Sequence, residues 1–248
     1  MRVDGRCSCA QGNSTVRSSD TRRRAVERRR FPAPRHQRAP GASRPDRGER
    51  PGRLSGRHDP DLDALGERQA DLLAEALGAS TEGRTVTVVT SPLVRCVRTA
   101  EAVALACCGD ASQVVLDDRF IEMDYGEWDG LPLSDVPVES WRRWREDPDF
   151  APPDGETLTS VTSRVSEGLL DWVSRHRGEV LVVASHVSPI KAAVVWALGV
   201  GEQATWRMRL SNASITRLDV SPDDADGLSA TLMAFNETAH LDRERQRP

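Results

Sequence analysis

The chain has 248 residues, enough for one large α/β domain or two small ones with a substantial buried core. Its formal net charge of −4 conceals an asymmetry: residues 1–57 hold 16 Arg against 5 acidic residues, a net of +11, and the remaining 191 residues carry −15. No apolar run approaches the ~20 residues of a membrane span, and the Arg-rich start lacks the apolar stretch of a secretory signal. Cys7, Cys9, Cys96, Cys107 and Cys108 form no CxxC pair and no Cys/His cluster with zinc-ligand spacing. These features exclude a disulfide- or zinc-built scaffold and predict a soluble, cytoplasmic protein with no membrane partner.

Beyond Met1, residues 1–50 offer only Val3, Val16, Val26 and Phe31 as large apolar side chains, among clusters such as TRRR and ERRRFPAPRHQR. No helical or strand period runs through them. Such a composition cannot offset the entropy of ordering, so residues 1–51 are expected to be a disordered Arg/Pro-rich segment. From residue 52 to 248 the character is that of a folded domain. LDALGERQADLLAEALG has the apolar spacing of an amphipathic helix, with Asp63 as its N-cap. TVTVVTS (85–91) is short and β-branched and reads as a buried strand, followed by the helix PLVRCVRTAEAVALA. GETLTSVTSRVSEGLLDWVSRHR predicts a long helix with Val161, Val165, Leu169 and Val173 inward. EVLVVAS (179–185) is a second buried strand with the helix PIKAAVVWALG behind it, and SITRLDV and SATLMAFNE read as two more strands. Strands alternating with helices predict an α/β fold, a three-layer sandwich around a mainly parallel sheet.

Two strand-to-helix junctions carry candidate chemistry. In TSPLVRCVRTAE, Pro92 suits a first helical turn and Arg95 lies near the helix N-terminus, at the sheet edge where open α/β folds bind ligands. A guanidinium beside helix-terminal amides suits a phosphate, although an ordinary surface arginine fits the same pattern. In VVASHVSPIKAA, His186 follows an apolar strand and occupies the same edge, as an oxyanion donor or as a plain strand cap. Between them, DDRFIEMDYGEWDGLP places Glu122, Asp124, Glu127 and Asp129 in one loop, where a carboxylic acid near a phosphate could protonate a leaving alkoxide.

The order of these pieces resembles the histidine phosphatase (phosphoglycerate-mutase-like) superfamily: GRxSGRxDxDLDxxGxxQA, SPLxRxxxTAEA, RFxExxxGxWDG, PxGET and SHxxPIKA followed by SNASITRL, over about 190 of 248 residues. The resemblance implies hydrolysis or transfer of phosphoryl groups through a phosphohistidine, with no metal or cofactor. It implies that Arg95 binds phosphate, Glu122 donates the proton, and His186 is the second histidine that stabilises the phosphoryl group. Gly155, Glu156 and Thr157 match a motif taken as positional. SHVSPIKA, with Val187 and Ser188 after the histidine, is similar to the acid-phosphatase-like branch and implies a small phosphorylated substrate.

One part of the family pattern is missing. An apolar strand ending in Arg-His-Gly should precede Gly52 closely, yet that window reads RAPGASRPDRGERP. Arg35 and His36 lie too far upstream with no strand before them, and His58 sits inside the GRxD motif as a surface loop residue. Either the chain is a relative that has lost catalysis, or the residues ahead of Leu54 are translated out of frame from a GC-rich gene. The second reading is preferred because the downstream residues are intact. The sheet is then expected to lack its first strand, and the protein to be inactive. Nucleic-acid binding through the basic N-terminus is a lesser alternative, since the region holds one aromatic residue and no recognisable module.

Overall fold

The computed structural model describes residues 53–223 and 227–242. The expectations for residues 1–51, including their disorder, their reading frame and the missing Arg-His-Gly strand, lie outside the described residues.

Three short strands, β1 (Val86–Thr90), β2 (Val114–Leu116) and β3 (Val180–Ala184), form a parallel sheet in the order β2-β1-β3. Their β-branched and leucine side chains alternate between the two faces, as a two-residue period requires. Val89, Leu181 and Val183 face one core, with Leu158, Val161, Val165 and Trp172 of α4 (Leu158–Arg175) and Ala192 of α5 (Val187–Leu198). Val86, Val88, Val182 and Ala184 face the other, with Leu73, Ala74 and Leu77 of α1 (Ala64–Ser80) and Ala100, Val103 and Ala104 of α2 (Val94–Cys108). Helices on both faces of a parallel sheet make the expected three layers.

Several details depart from the sequence reading. The last two strands, β4 (Ile215–Asp223) and β5 (Gly227–Glu237), pair antiparallel as a separate two-stranded sheet. The three-residue β2 is too short to be read in advance, and the nine-residue helix α3 (Val138–Glu146) is mostly polar, with Trp144 as its buried residue. Helix α2 begins at Val94, after Pro92, and α5 begins at Val187, so Pro189 lies within its first turn, where a missing N–H costs little. In α4 the buried stripe is Leu158, Val161, Val165, Gly168 and Trp172, while Leu169 and Val173 are only partly buried. Four-residue steps drift around a 3.6-residue helix, and the stripe corrects with a three-residue step from 165 to 168. Asp63 caps α1 as expected, accepting from Leu65 N at 3.0 Å and Gly66 N at 2.8 Å.

Beside the sheet, Trp128, Trp141, Trp144 and Trp206 pack with Tyr125 and Phe150. Trp144 and Trp206 meet edge to face at 4.9 Å, placing a positive ring edge on a negative ring face. Among the described residues, no helix is long and apolar enough to cross a membrane.

Candidate active site

The carboxyl ends of β1 and β3 lie side by side, with Ser91 N donating to Ala184 O at 3.0 Å. This register brings the two junctions together. His186 is the N-cap of α5 and is 8% exposed; its Nε2 lies 2.7 Å from Ser91 Oγ. Cys96 Sγ sits 3.4 Å from the same nitrogen. Burial, assisted by the cations Arg95 and Arg164, lowers the His186 pKa to about 3, so the imidazole is neutral at physiological pH. Burial pushes the Cys96 thiol up to about 12, which leaves it protonated and unreactive.

Glu122 is buried at 4% exposure, and its Oε1 accepts from Met123 N at 2.7 Å and Ser188 N at 3.3 Å. Desolvation raises its pKa against the opposing pull of these hydrogen bonds and of Arg95. Tyr125 Oη, 3.2 Å from Ser188 Oγ, closes the same corner. Lys191, one helical turn along α5, is partly buried, with its pKa lowered by desolvation while the Glu122 charge opposes that shift.

Arg95 donates from Nη2 to Gly56 O at 2.8 Å and from Nη1 to His58 O at 2.9 Å, and lies 3.6 Å from Asp59 Oδ1. Its charge acts on both Glu122 and His186, so the three residues singled out in the sequence share one electrostatic neighbourhood. A guanidinium carries five N–H donors, and the two carbonyls engage one on each terminal nitrogen. Asp59 reaches across to cap α2, both of its oxygens accepting from Val94 N at 2.8 and 3.0 Å. Leu93, the local N-cap residue, supplies no side-chain cap.

The acidic loop divides its work. Asp124 pairs with Arg57 at 3.0 Å, Asp129 bonds the backbone of residues 56–58, and Glu127 is exposed. Gly126 has φ +51°, and a Cβ there would stand 2.0 Å from Pro153 O, so only glycine lets this loop lie against residues 153–155. Thr157 caps α4 through Ser160 N at 3.0 Å, in line with a positional role. Glu156 does more than mark position. Arg164 grips it at 2.8 and 3.0 Å, and Arg57 approaches at 3.9 Å. Burial alone would raise the Glu156 pKa, but the Arg164 hydrogen bonds and charge hold it below the ordinary carboxylate range. Arg98 is exposed and pairs with Asp61 and Glu101, away from this cluster.

Cys96 and Arg164 carried no local signal in the sequence, and Ser91 and Ser188 stood there only as parts of motifs, because their roles arise only where separate elements meet. A neutral imidazole, a fixed guanidinium and a buried carboxyl group of raised pKa form a site that can hold an anion and supply a proton.

Residues 43–230 match the family described as the histidine phosphatase superfamily (branch 1). The chain is 36% identical over 192 residues to a bifunctional protein of Mycobacterium tuberculosis, covering 76% of this chain and 50% of that protein. It thus spans about half the length of these mycobacterial relatives. It is 35% identical over 194 residues to phosphoserine phosphatase 1 of Hydrogenobacter thermophilus, covering 77% of this chain and 87% of that one. Among solved structures, a mycobacterial glucosyl-3-phosphoglycerate phosphatase superposes with a TM-score of 0.65 at 27% identity, over 75% of this chain and 93% of that one.

Proposed function

Because this chain belongs to the histidine phosphatase superfamily, we propose that its site accepts a small phosphomonoester and is of the type that performs metal-independent hydrolysis through a phosphohistidine, a reaction this polypeptide as written is not expected to complete. The observation that carries this reading is the buried Glu122, of raised pKa, sharing one neighbourhood with Arg95 and a neutral His186. Arg95 and the His186 N–H would hold the equatorial oxygens of the transferring phosphoryl group, and Glu122 would deliver its proton to the departing alkoxide oxygen. The names of two relatives, one acting on phosphoserine and one on glucosyl-3-phosphoglycerate, support a small substrate. A cytoplasmic location is part of the same proposal.

The nucleophile is a separate matter. Among the described histidines, His176 lies at the opposite end of the sheet, bonded to Glu179 at 3.0 Å, and His240 lies 2.8 Å from Ala213 O. His58 joins the site by its backbone only in the described hydrogen bonds, and its ring is exposed. These placements favour a second reading for this polypeptide, a phosphate pocket without turnover.

Binding of orthovanadate tests the pocket. Arg95→Ala should abolish it, whereas Arg98→Ala, which removes a guanidinium already paired with Asp61 and Glu101, should leave affinity within about twofold. Equal losses in the two variants would show that the anion binds elsewhere.

A further inference from the structure

We propose that Asp129 is a positioning residue for Arg95, acting through the strap of residues 56–58; this rests on the phosphate-binding reading of Arg95. Asp129 Oδ1 accepts from Gly56 N at 2.7 Å, and Oδ2 accepts from Arg57 N at 2.9 Å and His58 N at 3.0 Å. Three successive backbone donors thus converge on one carboxylate. The carbonyls of the same strap, Gly56 O and His58 O, point to the guanidinium of Arg95 at 2.8 and 2.9 Å.

The peptide unit joining Gly56 to Arg57 shows the consequence most directly. Its N–H donates to an anion and its C=O accepts from a cation. A peptide dipole aligned between opposite charges is held in one orientation, and each hydrogen bond polarises the other. Asp129 therefore fixes the direction of the carbonyls that in turn fix the terminal nitrogens of Arg95.

On the solvent side, where Arg57 and His58 are exposed, the Arg57–Asp124 pair at 3.0 Å also holds the strap, but it engages a side chain and leaves the direction of the backbone carbonyls to Asp129. On the inner side Gly56 is buried, and a Cβ there would stand 2.9 Å from the Tyr125 ring and 3.1 Å from Met123 O. The absence of a side chain at residue 56 lets the backbone approach closely enough for both sets of bonds. A carboxylate that merely stabilised a surface turn would have no reason to affect the pocket. This one is linked to Arg95 by a chain of four elements: carboxylate, N–H, carbonyl and guanidinium.

The test uses the full chain and inorganic phosphate, titrated by calorimetry, together with ¹⁵N spectra of the arginine side chains. Asp129→Asn replaces a pure acceptor by a group that presents N–H donors to backbone N–H groups. It should weaken phosphate binding roughly tenfold, the order of one charge-assisted hydrogen bond. In an Arg95→Lys background, where no fork engages the carbonyls, the same change should cost less than about twofold, since the coupling has been removed. The Arg95 Nη signals should be distinct in the parent and averaged in Asp129→Asn. Asp129→Glu, which keeps the charge but displaces it by a methylene, should recover part of the affinity and gives a second variant if the amide folds poorly. Unchanged Nη signals together with unchanged affinity in either variant would overturn the proposal. A parent protein that fails to bind phosphate, yet loses its distinct Nη signals in the variants, would overturn the pocket reading and leave the positioning role standing.

Discussion

Glu122 and His186 are both buried, but their protonation equilibria pull the stability of the fold in opposite directions. For Glu122, the unfolded chain releases its proton near the ordinary 4.5 and the folded chain holds it to higher pH. The unfolded state is therefore favoured progressively as pH rises above 4.5, until the raised folded pKa is passed. For His186, the unfolded chain takes up a proton below 6.5, whereas the folded chain stays neutral down to about 3. Stability is lost as pH falls from 6.5 toward 3, by at most ~1.4 kcal/mol per pH unit for each proton. Glu122→Gln removes only the first of these gradients. Thermal melts from about pH 4 to about pH 8 should show the variant gaining on the parent as pH rises, while the acid-side slope remains. A constant difference across the range would mean that Glu122 is not held protonated by burial. This behaviour was not legible in the sequence. RFIEMDYG marks Glu122 as a candidate, but its burial depends on Met123, Ser188 and the start of α5, which lie together only after folding.

Elements were legible in proportion to their length and apolar content. The helices α1, α2, α4 and α5 and the apolar strands β1 and β3 carry clear patterns. The three residues of β2 do not, and in α3 the buried face amounts to Trp144. That β4 and β5 would form their own sheet is a matter of which edges they meet, which no local pattern encodes. Helix α4 shows how packing refines a period. Its stripe turns at Gly168, where a Cβ would stand 2.9 Å from Phe120 Cζ and 3.2 Å from Cε1. Phe120 is 1% exposed, so its ring has no room to withdraw. Gly168→Ala should gain up to ~1 kcal/mol of helix propensity and lose ~1–3 kcal/mol to overpacking. The expected net result is a lower urea midpoint. A variant more stable than the parent would show that the α4 contact with Phe120 is loose.

On the scale of the whole molecule, β3, an edge strand of the sheet among the described residues, sets an expectation for catalysis. All five residues of β3, VLVVA, are apolar, yet each is only partly buried, whereas Val88, Val89 and Thr90 of the neighbouring β1 are buried. Among the described residues, β3 pairs with β1 alone. A parallel strand is ordinarily covered on both faces and paired on both edges, because unpaired peptide groups and exposed valines each carry a cost. The family resemblance supplies a candidate for such a neighbour, an apolar strand ending in Arg-His-Gly, which would bring backbone donors to β3 and an imidazole to the pocket. We propose that the Arg/Pro-rich sequence before Leu54 does not serve in its place, since it is poor in apolar side chains and its prolines carry no N–H groups. We therefore expect the purified chain to show no turnover of p-nitrophenyl phosphate above a Glu122→Gln control. A version in which a short apolar strand ending in Arg-His-Gly replaces the residues just before Gly52 should gain both turnover and a higher melting temperature. The two gains should separate when the new histidine is changed to alanine, which should erase turnover and keep most of the added stability. Turnover by the original chain that disappears when His36 or His58 is replaced would refute this expectation and identify the nucleophile directly.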